Sequence, residues 1–232
     1  MPMKIIATKI CPHTEVEIWH SLEAHLDEAR RNKIGKCLQK KQQQRMISGD
    51  ILLRYALQQE FSSDAGSLRI GYGPYGKPWL YERPEVFFNI SHAGEWVAVA
   101  LGSREVGIDV EIQDPRFAKL ADCLLSPSEL RDFQGIQDQE AYLCRRWVMK
   151  ESFVKMIGLG LGCPLTSVSF AMISHQDAFT VYEEQGYFCR VYELESIYPL
   201  AVSCADYRFP DQVTILPFER LLHWALAASP LV

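Results

Sequence analysis

At 232 residues and 48% apolar, the chain has the length and material for one large domain or two modest ones, which excludes a disordered or fibrous protein. A net charge of −5 and a pI near 5.7 exclude a general nucleic-acid binder, for which a positive field over the whole domain is expected. The longest apolar runs, such as Trp96 to Leu101, are far too short for a membrane span, and Met1 to Ile10 lacks a signal-peptide core, so a cytoplasmic protein is expected. Seven scattered cysteines without a Cys-x-x-Cys pair point to reduced, packed thiols rather than a disulfide framework or a zinc site.

Met3 to Ala7 reads as a short strand, and Ile18 to Arg31 as a helix with Trp19, Leu22 and Leu26 on one stripe. Arg30, Arg31, Lys33, Lys36, Lys40, Lys41 and Arg45 then follow without one acid; taking these seven from the net −5 leaves −12 on the rest. Such a run is a local anion-attracting patch or, more plainly, a solvated helix face. A second helix is predicted over Lys40 to Phe61, ended by Ser62 to Gly66. Leu68 to Tyr72 reads as a strand, and the turn-rich stretch Gly71 to Pro78 as a loop whose backbone can approach a ligand closely, an ordinary surface loop being the alternative. Val86 to Ser91 and Trp96 to Leu101 form a predicted hairpin joined by His92 to Glu95, with Asn89, Ser91 and His92 where the first strand runs out.

Strand periodicity in Val106 to Glu111 sets Ile108 and Val110 on one face and the carboxylates Asp109 and Glu111 on the other. Helical stretches are predicted around Phe117 to Leu125 and Pro127 to Phe133, then a long helix from about Asp138 to Ile157, stopped by Gly158, Gly160, Gly162 and Pro164. Strands follow at Val168 to Ile173, Phe179 to Glu183, Tyr187 to Glu193 and Leu200 to Asp206, with a last helix over Glu219 to Ala227. The order strand, helices, strands thus occurs twice. It predicts an α+β protein of two similar halves, residues 1–104 and 105–232, with a cleft between them. Basic residues and the Gly76-Lys77-Pro78 loop come from the first half, the carboxylates from the second.

On the long helix, Met149, Phe153, Met156 and Ile157 fall on one side, and Glu151 and Lys155 nearly opposite. Taken singly, Asp109 and Glu111 read as a solvent-facing strand, and Glu151 with Lys155 as an i, i+4 ion pair worth about 0.2–0.5 kcal/mol. Brought together, three carboxylates repel and demand a cation, and oxygen ligands without His or Cys suit a hard ion such as Mg²⁺. That ion would couple the acidic half to the basic half through a phosphorylated ligand.

Gly107-Ile108-Asp109-Val110-Glu111 followed by Trp147-x-Met149-Lys150-Glu151-Ser152-x-x-Lys155 resembles the paired signature of the 4′-phosphopantetheinyl transferases. Gly76-Lys77-Pro78, Asn89-Ile90-Ser91-His92 and Gly49-Asp50 after Arg45 agree, and the likeness spans nearly the whole chain. It is nearest to the monomeric surfactin-synthetase-activating type. The resemblance implies a pseudo-twofold α/β fold with coenzyme A between the halves. It implies transfer of the phosphopantetheine arm to a serine of an apo acyl or peptidyl carrier protein, with release of 3′,5′-ADP. Asp109, Glu111 and Glu151 would hold Mg²⁺, and Lys155 would contact the phosphates and assist the leaving group. Glu151, or a metal-bound water, would accept the serine proton. Arg45, Gly76, Lys77, Pro78, Ser91 and His92, with Arg30 and Lys33, would contact coenzyme A.

Leu125-Ser126-Pro127-Ser128-Glu129 keeps the serine and acid of a further family motif without its aromatic residue, which makes Glu129 a second-rank candidate. Lys119, Arg131, Arg145 and Arg146 are carrier-docking candidates by charge alone. Two other function classes share these residues: a non-catalytic carrier-binding module of the same fold, and a Mg²⁺-dependent nucleotide phosphohydrolase.

Overall fold

The computed structural model describes residues 1–11, 13–61 and 69–227. The first half runs β1 (Lys4–Lys9), α1 (Val16–Glu23), α2 (Glu28–Gly35), α3 (Lys40–Phe61), β2 (Ile70–Tyr72), β3 (Pro78–Leu80), β4 (Phe87–Ala93) and β5 (Trp96–Gly102). The second runs β6 (Val106–Val110), α4 (Ala121–Leu124), α5 (Pro127–Phe133), α6 (Gln139–Ile157), β7 (Ala171–Met172), β8 (Asp177–Tyr182), β9 (Gln185–Glu193) and β10 (Pro199–Cys204), then β11 (Thr214–Ile215) and α7 (Phe218–Ala227). One sheet has the order β11-β1-β5-β4, a second β6-β10-β9-β8-β7, and β2 with β3 forms a separate ribbon.

Strand periodicity stacks these elements in four layers. In β5, Val97, Val99 and Leu101 face α3 with Ile47, Ile51 and Leu53, while Trp96, Ala98 and Ala100 face the other sheet. Val106, Ile108 and Val110 of β6 meet them there with Leu200 and Val202. Being covered on both faces, β5 reads as a continuous apolar run rather than an alternating one. The alternate residues of β6, Gly107 and Asp109, turn toward α6. A Cβ on Gly107 would overlap the Ser152 carbonyl oxygen and lie 2.5 Å from the Met156 nitrogen, so only glycine lets α6 sit this close to the strand. The approach sets the height of α6 above Asp109.

Several sequence expectations are corrected. The single helix over Ile18 to Arg31 is two, because Asp27 accepts a hydrogen bond from the Arg30 backbone N–H (2.8 Å) and starts a new one. The apolar stripe survives the break: Trp19, Leu22 and Leu26 are all buried. His92 lies within β4, the turn being only Gly94-Glu95. The strand over Val168 to Ile173 shrinks to Ala171–Met172. The terminating stretch Ser62 to Gly66 and the first residue of the Leu68 to Tyr72 strand lie outside the described residues. Most consequential, residues 214–227 do not stay with the second half: β11 pairs in parallel with β1, and α7 packs on α3, with Trp224 edge-on to Tyr55 at 5.4 Å. Two residues paired beside β1 are too short a signal for sequence periodicity.

No helix of the described residues is long and apolar enough to cross a membrane. All seven cysteines are free thiols.

Candidate active site

The edge strands of the two sheets, β4 and β6, meet at the seam. One edge of β6 is paired with β10; its other N–H groups need partners, and β4 supplies them from side chains. Asn89 Oδ1 accepts from the Ile108 N–H at 3.2 Å, and Ser91 Oγ from the Val110 N–H at 3.3 Å. Ser91 Oγ also donates to Asp109 Oδ1 (2.9 Å), and Lys155 Nζ, in the last turn of α6, donates to Asp109 Oδ1 (2.6 Å) and to Ser91 Oγ (3.0 Å). Lys155 therefore pairs with Asp109 within the second half and reaches Ser91 across the seam. Asp109 is 4% exposed, and its second oxygen, Oδ2, is buried with no hydrogen-bond partner.

The other two acids sit in this field. Burial, and then the negative charge of Asp109, push Glu111 up to about 7. The same two causes raise Glu151, opposed by Lys155. Among the described residues no three His, Cys, Asp or Glu side chains are grouped so as to hold a metal ion. The donor chemistry nevertheless suits a hard divalent cation: one buried carboxylate oxygen lacks a partner, and the charged forms of two other carboxylates are disfavoured by burial and then by the Asp109 charge.

Two cavities open from the seam. One, of about 160 Å³, is lined by Arg30, Lys33, Arg45 and His92 with Tyr72, Gly76 and Pro78. Its cations are held in place: Arg30 Nε bonds Asp50 Oδ2 at 2.5 Å, Lys33 lies 5.1 Å over the Tyr72 ring, and Arg45 donates to the Gly94 carbonyl at 3.1 Å. Burial, and then Arg45, Lys155 and Arg30, push His92 down to about 4, so its ring is neutral at pH 7. The second cavity, about 200 Å³, shares Gly76, Pro78, Asn89 and Ile90 with the first and continues past Lys155 to Val154, Gly158 and Gly160. Larger cavities of about 540 Å³ lie elsewhere and include none of these acids and cations but Arg104, Glu105 and other residues outside the seam. Chemistry rather than volume singles out the seam.

Most of the expected contact residues thus converge, but not all do so as expected. The Lys77 ammonium is taken up by Glu105 and the Met156 carbonyl, so this side chain ties the Gly76-Pro78 loop to the end of α6. Glu129 is 2% exposed and away from the cleft. It completes the capping box of α5 with Ser126 and binds Lys150 (2.5 Å), Arg146 (3.3 Å) and the Phe170 N–H (3.2 Å). Arg146, a docking candidate by charge, is buried in that cluster, and Arg145 is engaged by Glu193 at 2.9 Å; Lys119 and Arg131 are exposed. Asp50 carried no role in the sequence reading. Its signal was an acid inside a helix otherwise buried, and the structure shows it fixing Arg30.

Two family descriptions match the chain: 4′-phosphopantetheinyl transferase, N-terminal, over residues 13–104, and 4′-phosphopantetheinyl transferase superfamily over residues 105–208. The 4′-phosphopantetheinyl transferase Sfp of Bacillus subtilis (strain 168) is 33% identical over 83% of this chain and 88% of its own length. The chain belongs to the 4′-phosphopantetheinyl transferase family. As a member it is an enzyme that moves a 4′-phosphopantetheinyl group. The 4′-phosphopantetheinyl transferase psf-1 of Bacillus pumilus is 30% identical over 77% of this chain and 78% of its own. An L-aminoadipate-semialdehyde dehydrogenase-phosphopantetheinyl transferase of Pongo abelii is 26% identical over 68% and 57%.

Proposed function

We propose that the seam binds coenzyme A and passes its phosphopantetheine arm to a serine of an apo acyl or peptidyl carrier protein, releasing 3′,5′-ADP. The observation that carries this reading is the divergence of two unlike cavities from one point. The cavity with Arg30, Lys33 and Arg45 suits the charged nucleotide end, the one that runs past Lys155 to Val154, Gly158 and Gly160 suits the pantetheine arm, and Lys155 with Asp109 stands where the pyrophosphate between them would lie. Residues 1–104 supply the nucleotide contacts, including Gly76, Pro78, Ser91 and the neutral His92. Residues 105–232 supply the acids and Lys155. Both halves belong to one chain, so the site is complete in a monomer.

Asp109, Glu111 and Glu151 would hold Mg²⁺, which when bound neutralises charge on the pyrophosphate oxygens. Lys155 moves its ammonium from Asp109 to the departing phosphate, stabilising charge as the P–O bond breaks. Glu151, raised above an ordinary carboxylate, is the stronger base for the proton that the serine hydroxyl loses on attacking phosphorus. Lys77 keeps the loop against α6, so that Gly76 and Pro78 stay on the cleft wall. The acceptors we expect are carrier domains of fatty-acid, polyketide or nonribosomal-peptide synthases in the cytoplasm. Incubation of the protein with coenzyme A, Mg²⁺ and apo carrier domains should add the mass of one phosphopantetheinyl group to the carrier; unchanged masses across acyl and peptidyl carriers would refute the reading.

A further inference from the structure

The β2–β3 ribbon contributes Tyr72, Gly76 and Pro78 to the cleft, but its outer face has a structure of its own. Trp79 and Tyr81 are 41% and 51% exposed, with ring centroids 4.1 Å apart, and the Arg69 guanidinium lies 5.2 Å from the Tyr81 ring. Arg69 is held in turn by Glu82, Nε to Oε1 at 2.8 Å. Gly71 pairs with Trp79 in the ribbon, and a Cβ there would come within 2.6 Å of the indole. The indole can lie across the ribbon because residue 71 has no side chain. The result is an arginine, tyrosine and tryptophan stack fixed in place before any partner arrives.

A ribbon of three residues per strand is marginal by itself, and keeping large aromatic rings in water does not stabilise it. Tryptophan, tyrosine and arginine are the residues that dominate the energetics of protein interfaces, and a preformed stack loses little freedom on binding. We propose that this stack is a docking surface for the carrier protein, an inference that rests on the transferase reading above. The occupant follows from continuity. Tyr72, Gly76 and Pro78 of the ribbon and its turn line the first cavity and Tyr75 the second, so the ribbon is the rim of the cleft. A macromolecule that presents a serine to Lys155 and Asp109 borders that rim. The Arg69 guanidinium on Tyr81 adds a cation to the stack, which fits a partner surface with an apolar spot bordered by an acid.

The test separates the two substrates kinetically in the full chain. Trp79→Ala should raise the carrier KM about thirtyfold, the size of an interface hot spot, with Tyr81→Ala following in the same direction. Coenzyme A KM and kcat at saturating carrier should stay within about twofold, and Trp79→Phe should restore most of the carrier affinity. An unchanged carrier KM in both alanine variants overturns the proposal. So does a raised coenzyme A KM with carrier KM unchanged, which would assign the rings to the nucleotide. Should Trp79→Ala fail to fold, Tyr81→Ala with the same two KM values decides. A wild-type chain that modifies no carrier at all would sink the transferase reading itself, whereas a wild type that transfers while its variants behave identically sinks only the docking surface.

Discussion

Two clusters of acid and base lie on different sides of one helix, their lysines five residues apart in sequence. Lys150 and Arg146 of α6 meet Glu129 in a cluster where both carboxylate oxygens are bonded: Oε1 by Arg146 and the Phe170 N–H, Oε2 by Lys150 and the Ser126 N–H. Lys150 also donates to the Leu124 and Leu165 carbonyls, at 2.6 and 3.1 Å. Across the helix, Lys155 meets Asp109, whose Oδ2 has no partner, with two further carboxylates raised by burial and then by its charge. A buried ion cluster with every lone pair used fixes a structure. One that leaves a buried oxygen open has binding capacity to spare, at a cost in stability.

The largest effect should come from cutting the open cluster. Asp109→Asn is expected to lower transfer about 10³-fold by removing charge where the proposed cation and Lys155 converge, while leaving the unfolding midpoint in urea unchanged or slightly higher. A variant that keeps near-wild-type rates would remove Asp109 from the chemistry. One that loses both rate and stability would make the two clusters alike and erase the contrast.

The closed cluster should respond in the opposite sense. Lys150→Met leaves Glu129 with one cation and is expected to cost about 3–5 kcal/mol in urea unfolding, the usual penalty for uncoupling a buried pair. The kcat of the protein that remains folded should fall far less than in Asp109→Asn. A loss of kcat without a loss of stability would mean that Lys150 reaches the chemistry after all.

How legible this was from sequence differs between the clusters for a physical reason. Alternation in Gly107 to Glu111 and the glycines after Ile157 marked β6 and the end of α6, and the left-handed φ of 75° at Gly158 shows why glycine stands there. The seam residues were recognisable through the motifs that hold them. Their convergence was not, since it depends on Gly107 admitting α6 and on Ser91 reaching across from β4. Glu129 looked like a site residue because burial of a charge is invisible until its partner is located. Lys150 adjoins Glu151 in sequence but is turned about 100° away on the helix. The break at Asp27 and the return of β11 to β1 were missed because a cap and a two-residue pairing each leave only one or two residues as signal.

The smallest expected effect is also the one that reads the open cluster without any assay of transfer. Glu111 has an ordinary value of 4.5 and is held at about 7 in the fold, so between those values the folded chain keeps a proton that the unfolded chain has lost. Its contribution to stability is therefore complete below pH 4.5, declines as pH rises, and is gone above about 7; Glu151 acts in the same direction. Mg²⁺ competes with that proton, so it should raise the melting temperature more at pH 8 than at pH 5, by about 2–4 °C for each kcal/mol of binding linkage. Melting curves at both pH values, with Mg²⁺ or with EDTA, measure this. Glu111→Gln should flatten the pH dependence and shrink the Mg²⁺ response. If wild type and variant gave the same profile, the raised carboxylate and the cation would not share a site. If Mg²⁺ acted equally at both pH values, it would be binding somewhere other than these acids.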